Sequence, residues 1–127
     1  MIQVVIADDH LHVRRGVRRL LQQTQDMEVV GEASDGEEAV ALAQQLRPDI
    51  MVMDITMPKL DGIQALARIQ EEKIPTRVVI LSMHGGADFV RMAQRQGARG
   101  YVLKRQASQE LKPAIRAVWR GDTYFTA

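Results

Sequence analysis

Short apolar runs rich in Val and Ile recur along the chain at 2–7 (IQVVIA), 28–33 (EVVGEA), 50–53 (IMVM), 77–81 (RVVIL) and 100–103 (GYVL). Runs of this length and composition predict β-strands. Between them the apolar residues fall three and four positions apart. Val13, Val17, Leu20 and Leu21 form one stripe, and Val40, Ala43 and Leu46 a second. Ile63, Leu66 and Ile69 form a third, and Leu111, Ile115 and Val118 the last. That spacing places each set on one face of a helix. The segment 87–96 predicts a weaker helix, with only Val90, Met92 and Ala93 to bury.

Turn and cap residues agree with these elements. Ser34-Asp35-Gly36-Glu37 has the spacing of a capping box, and Pro48 follows the second helix. Gly97 is placed to end the fourth helix and Ser108 to cap the fifth. Pro113 falls slightly inside that last helix, where it removes one backbone bond and predicts a local irregularity. Strands that are almost continuously apolar and alternate with helices predict a parallel sheet covered on both faces. The expected fold is a three-layer α/β domain over 1–120. Residues 121–127 carry little periodicity and read as the start of a linker to a further domain.

Composition narrows the function classes. The 127 residues are 46% hydrophobic and 26% charged, enough to bury roughly two-thirds of the unfolded surface as one domain. Cysteine is absent, which excludes disulfides, thiolate metal sites and cysteine nucleophiles. No apolar run exceeds five residues, so no transmembrane helix is expected, and Met1 leads straight into Ile2-Gln3-Val4 without a signal peptide. A cytoplasmic location suits these features. The net charge of +1 conceals an asymmetry: residues 26–54 carry eight acids against Arg47 alone, whereas 55–127 carry twelve bases against six acids. Such a bipolar chain is a poor polyanion ligand, so direct nucleic-acid binding by this domain is disfavoured.

Chemistry concentrates at the strand ends. Strand 1 runs into Asp8-Asp9, strand 3 into Asp54, strand 4 into Ser82 and strand 5 into Lys104. Ligands of open α/β sheets bind at the carboxyl ends of the strands. Strand 2 delivers no such group; if the four contributing strands are neighbours, it lies outside strand 1 and the order is 2-1-3-4-5. Three converging carboxylates repel one another, and a hard divalent cation such as Mg²⁺ relieves that repulsion. Lys104 adds a point positive charge suited to a phosphoryl oxygen, and Ser82 a hydroxyl donor. A carboxylate can itself be a nucleophile, so the set describes a pocket for phosphoryl transfer.

Five motifs in order carry a resemblance. Ala7-Asp8-Asp9-His10, Met53-Asp54-Ile55-Thr56-Met57-Pro58 with Asp61-Gly62, Ile80-Leu81-Ser82-Met83-His84 and Tyr101-Val102-Leu103-Lys104 resemble the receiver domain of bacterial response regulators. With the closing Gly121-Asp122-Thr123-Tyr124, they look most like receivers that precede a LuxR-type helix-turn-helix domain. The resemblance implies a flavodoxin-like five-stranded sheet of order 2-1-3-4-5. It implies that Asp54 accepts a phosphoryl group from a sensor histidine kinase and switches a transcriptional output. Asp9, Asp54 and the Thr56 carbonyl would hold Mg²⁺, with Asp8 acting mostly through water. Lys104 and then Ser82 would contact the phosphoryl group, Tyr101 would rotate inward as the switch aromatic, and Thr56 and His84 would tune dephosphorylation. DNA would be reached only through a further domain, and pairing of two receivers is open. One position departs from the family: Pro often follows the strand-5 Lys there, with a cis peptide, and Arg105 stands in its place.

Other readings of the same residues differ in testable ways. An Asp-nucleophile phosphatase usually wants a second acid two residues after the nucleophile, where this chain has Thr56. A mononucleotide binder wants a first turn rich in Gly, Ser or Thr, and Asp8-Asp9 would repel an unescorted phosphate. A degenerate receiver that only binds other proteins would have no need of the full set. His10, His12 and His84 read as surface or turn residues, Met51, Met53 and Met57 as core filler, and Arg14, Arg15, Arg18 and Arg19 as a solvated stripe or docking face.

Overall fold

Side-chain alternation along the strands decides which helices lie on which face. In the computed structural model, which describes residues 1–126, the chain runs β1 (Ile2–Ala7), α1 (Leu11–Gln22), β2 (Met27–Ala33), α2 (Gly36–Leu46), β3 (Ile50–Met53) and α3 (Gly62–Glu71). It continues through β4 (Arg77–Ser82), α4 (Ala87–Arg95), β5 (Gly100–Leu103), α5 (Ala107–Trp119) and β6 (Tyr124–Phe125). Ile2, Val4, Ile6, Ile50, Val52, Val79, Leu81 and Val102 point to one side and pack with Val17 and Leu21 of α1 and Leu111, Ile115 and Val118 of α5. Their neighbours in sequence, Val5, Met51, Met53, Val78, Ile80 and Tyr101, point to the other side, against α2, α3 and α4. Period two on a doubly covered sheet therefore yields two cores, and all three strand methionines are interior, Met57 with them.

Every strand pair is parallel and the order is β2-β1-β3-β4-β5-β6. The first five positions are as expected, and a sixth strand is added. Tyr124 and Phe125, within the stretch read as the start of a linker, pair with Gly100 and Tyr101. Two residues are too few to show any periodicity, so this strand had no signature in the pattern.

Two caps differ from expectation. Asp35, not Ser34, caps α2, accepting from the Glu38 amide at 2.8 Å, while the Glu38 carboxylate reaches back to the Ser34 amide at 2.7 Å. Ser108 does not cap α5: a 3-10 turn over Lys104–Gln106 feeds the helix earlier, leaving Ser108 in its first turn. The helix passes through Pro113 unbroken.

The loop after β3 is held by two glycines. A Cβ on Gly62 would lie 2.0 Å from the Asp54 carbonyl oxygen, and one on Gly36 would lie 2.0 Å from that of Leu60. The Gly62 amide donates to the Ile55 carbonyl at 2.6 Å, and Asp61 and Gln64 close a reciprocal capping box on α3. Because the obstacle at Gly62 is backbone, Gly62→Ala is expected to cost at least about 2 kcal/mol. Gly16, in the middle of α1, has open space around its Cβ position, so Gly16→Ala should stabilise by about 0.5–1 kcal/mol. Urea unfolding midpoints of the two variants, moving in opposite directions, check this pair.

Candidate functional site

Adjacency of β1, β3, β4 and β5 sets their carboxyl ends side by side. The chain crosses from strand to loop in register, the Asp54 amide donating to the Ala7 carbonyl at 3.0 Å. Lys104, at the end of β5, places Nζ 2.8 Å from Asp8 Oδ2 and 2.9 Å from Asp54 Oδ2. Both carboxylates are deeply buried, with side chains 4% and 6% exposed. Asp9 is partly open, yet its Oδ1 is buried without a hydrogen-bond partner. His10 Nδ1 lies 3.1 Å from that atom, not aligned to donate to it, and 3.3 Å from Asp8 Oδ1. Asp8, Asp9, His10 and Asp54 each offer one ligand atom within 4.8 Å of the others.

Three carboxylates thus face one ammonium. Burial pushes the Asp54 carboxyl above its ordinary range, and the Lys104 hydrogen bond and charge only partly offset this. Burial works against the Lys104 charge as well, but its hydrogen bonds to Asp8 and Asp54 prevail and its pKa is raised. An orphaned buried oxygen amid uncompensated negative charge is the donor set that a hard, oxygen-seeking divalent cation fits.

A second group of residues continues from the pocket toward α4. Ser82 is fully buried and its Oγ accepts from the His84 amide at 3.0 Å. Tyr101, also fully buried, donates its hydroxyl to the His84 carbonyl at 2.5 Å. The exposed His84 ring stacks on Phe89 of α4 with centroids 4.8 Å apart. Thr56 is exposed on the loop beyond Asp54, its amide 3.4 Å from Asp54 Oδ1. The structure therefore gathers Asp8, Asp9, Asp54 and Lys104 directly, and ties Ser82, His84 and Tyr101 into an adjoining unit. No peptide bond among the described residues is cis, so Lys104–Arg105 is trans.

Two contributors were not recognised from sequence. Arg14 donates from Nη1 to the Asp8 carbonyl at 2.6 Å and from Nε to Glu32 at 3.1 Å, while Arg18 bonds the other Glu32 oxygen at 2.7 Å. The i, i+4 spacing of Arg14 and Arg18 was visible, but their shared acid sits on β2. His10, read as a surface or turn residue, leans back on the two carboxylates. Adjacency to Asp8-Asp9 was its one available signal.

Stability should follow the charge arrangement. Between the ordinary carboxylate range and the raised native value of Asp54, the folded state binds more protons than the unfolded chain. Stability contributed by this group therefore falls as pH rises through that window, and at neutral pH ionised Asp54 is a net cost. Without divalent metal, Asp54→Asn should raise the melting temperature at neutral pH, and the gain should shrink under acid. Lys104→Ala leaves two buried acids unpaired and should cost about 3 kcal/mol. Thermal melts across pH test both.

Comparison with known proteins completes the description. Residues 4–116 match the response regulator receiver domain family. The chain is 41% identical over 125 residues to the oxygen regulatory protein NreC of Staphylococcus carnosus, covering 98% of this chain and 58% of that protein. It spans little more than half the length of the curated relatives it matches. A LuxR-family two-component response regulator from Aurantimonas sp. SI85-9A1 superposes with a TM-score of 0.92 at 39% identity, over 96% of this chain and 87% of that one. A chain of the CheX-CheY-BeF₃⁻-Mg²⁺ complex from Borrelia burgdorferi superposes with a TM-score of 0.87 at 28% identity, over 93% and 89%. The sequence match over most of the chain and the shared fold lead to one conclusion: this chain belongs to the receiver domains of two-component response regulators.

Proposed function

We propose that Asp54 is the phosphoacceptor of this receiver and that its phosphorylation drives a conformational switch. The observation that carries the reading is Lys104 Nζ bonded at once to two buried carboxylates, beside an unpartnered oxygen of Asp9. In the transfer, an Asp54 carboxylate oxygen attacks phosphorus of a phosphohistidine on a sensor histidine kinase. The new O–P bond forms as the P–N bond breaks, and the leaving imidazole keeps the electron pair. Asp54 thereby exchanges its carboxylate charge for charge on the phosphoryl oxygens, and Lys104 follows that charge. Hydrolysis by water returns phosphate and the free carboxylate.

Asp9, Asp54 and the Thr56 carbonyl are the residues that would hold Mg²⁺, with Asp8 acting through water. The B. burgdorferi complex contains Mg²⁺ and a chain that shares this fold, which supports a divalent ion in such a pocket. When bound, the ion supplies neutralisation of the oxygens on the transferring group. Exposed Thr56 and His84 lie two residues beyond Asp54 and Ser82, and their size and polarity would set water access to the phosphorylated Asp54.

The switch follows from the Ser82 contact. Turning its hydroxyl toward the phosphoryl group releases the His84 amide. His84 is also where Tyr101 donates and where Phe89 stacks, so the change passes to α4. That helix buries only Val90 and Ala93 and has no side-chain N-cap, which makes it inexpensive to move. Tyr101 is already buried in this structure, with its hydroxyl on the His84 carbonyl, and phosphorylation would favour this inward arrangement over an outward one.

The catalysis attributed to the chain is limited to its own phosphorylation and dephosphorylation. We place it in the cytoplasm; no helix among the described residues is long and apolar enough to cross a membrane. The greater length of the relatives supports an output domain after the receiver, with residues 1–120 as the receiver's main body and 121–127, where β6 adds to the sheet edge, leading toward it. DNA contact would belong to that domain, and a homodimer is the natural way to present two of them. Incubation with Mg²⁺ and a small acyl-phosphate donor should add the mass of one phosphoryl group to the wild type. Asp54→Asn, or removal of Mg²⁺ with chelator, should abolish the addition. No adduct from the small donor or from a phosphorylated kinase would replace this reading with a receiver that binds partners independently of phosphorylation.

A further inference from the structure

We propose that His10 is a metal ligand of the acidic pocket and raises its affinity for borderline divalent transition ions such as Mn²⁺, Co²⁺, Ni²⁺ and Zn²⁺ relative to Mg²⁺. This rests on the reading that Asp9, Asp54 and the Thr56 carbonyl hold a divalent cation, with Asp8 acting through water. His10 Nδ1 lies 3.1 Å from Asp9 Oδ1 and 3.3 Å from Asp8 Oδ1. Ligands at right angles on an ion with bonds of about 2.1 Å are separated by roughly 3.0 Å, so the distance to Asp9 Oδ1 is that of neighbouring ligands, while the contact with Asp8 is a hydrogen bond that orients the ring. Of the two oxygens, Asp9 Oδ1 is buried and has no hydrogen-bond partner, leaving its capacity for a cation.

The chain fixes the backbone that carries the ring from both sides. The His10 amide donates to Asp8 Oδ1 at 2.9 Å, and the His10 carbonyl accepts from the Val13 and Arg14 amides at 3.1 Å each. Its backbone is extended, as expected of the residue that begins α1, and this turns the side chain back toward the two carboxylates. Arg14 anchors the same turn through the Asp8 carbonyl. More than half of the ring surface is open, so a hydrated ion can approach without rearrangement of the core.

Selectivity follows from ligand chemistry. Mg²⁺ prefers oxygen and keeps its waters, so an added imidazole does little for it. Manganese, cobalt, nickel and zinc ions accept imidazole nitrogen readily, and for them the fourth donor adds affinity. An ordinary ion pair between protonated His10 and the acids would behave oppositely: its removal would strengthen binding of every cation, Mg²⁺ included.

Calorimetric titration of the intact chain with Mg²⁺ and with Ni²⁺ separates these cases. His10→Phe should weaken Ni²⁺ by at least about tenfold and change Mg²⁺ by less than about threefold. His12→Phe, which replaces the imidazole in edge contact with His10 by a phenyl ring, should change neither. Spin-echo spectra of the Mn²⁺-loaded wild type should show a directly bonded nitrogen, absent from His10→Phe. Unchanged Ni²⁺ affinity in His10→Phe, tighter binding of both ions, or an equal loss in His12→Phe would each overturn the proposal. Asp9→Asn serves a different purpose. If it leaves Mg²⁺ binding intact, the cation site itself fails, and the role of His10 with it; if it abolishes Mg²⁺ binding while His10→Phe leaves Ni²⁺ unchanged, only the His10 proposal fails.

Discussion

Lys104 holds two carboxylates that the sheet has removed from water, and the surrounding architecture follows from that demand. Asp8 and Asp54 are more than nine-tenths buried and each lies within 3 Å of the same ammonium. Desolvation of such groups costs several kcal/mol per ion unless geometry is good, so the strands carrying them must arrive in fixed register. Parallel pairing of Ala7 with Met53 sets the carboxyl ends of β1 and β3 level, and the neighbouring β4 and β5 bring Ser82 and Lys104 to the same edge. Gly62 allows α3 to start against the Asp54 carbonyl, and Arg14 fastens the carbonyl of Asp8. One lysine cannot neutralise three acids, and the excess makes the pocket receptive to a cation and then to a phosphoryl group.

The same edge has a mechanical side. Ser82, Tyr101 and Phe89 meet at His84, two through its backbone and one through its ring. On the proposed switch, a hydroxyl that leaves the His84 amide would act on the Tyr101 contact and the footing of α4 together. α5 is fastened differently. Arg116 bonds Asp26 and Thr24 across from the α1–β2 turn, and that bidentate contact holds Asp26 well below the usual carboxylate range. One helix is lightly anchored beside the chemistry and another is pinned at the far end, an arrangement in which the proposed switch would act on the α4 side.

Strand-end chemistry was readable from sequence because a doubly covered strand is apolar until it leaves the sheet. The runs 50–53 and 100–103 coincide with β3 and β5, so Asp54 and Lys104 stood out as the first polar residues after them. The five-strand order followed from asking which strands deliver such groups. What escaped had no local signature. β6 is two residues long, and Glu32 pairs with Arg14 only because α1 packs on β2. The Tyr101 contact ends on a backbone carbonyl, which leaves no trace in residue type. Capping at α2 slipped by one residue because Ser34 and Asp35 are both competent caps and only geometry selects Asp35. His10 looked ordinary until its ring was seen against Asp8 and Asp9.

Central to this account is the claim that burial leaves Asp54 short of compensating charge until a cation binds. Carboxyl-carbon NMR titration of the aspartates across pH, without and with Mg²⁺, measures it at the atom concerned. The account predicts that Asp54 takes up its proton at higher pH than an ordinary aspartate when Mg²⁺ is absent, and at lower pH once Mg²⁺ is added. Titration of Asp54 within or below the ordinary range in the metal-free protein, unmoved by Mg²⁺, would contradict it.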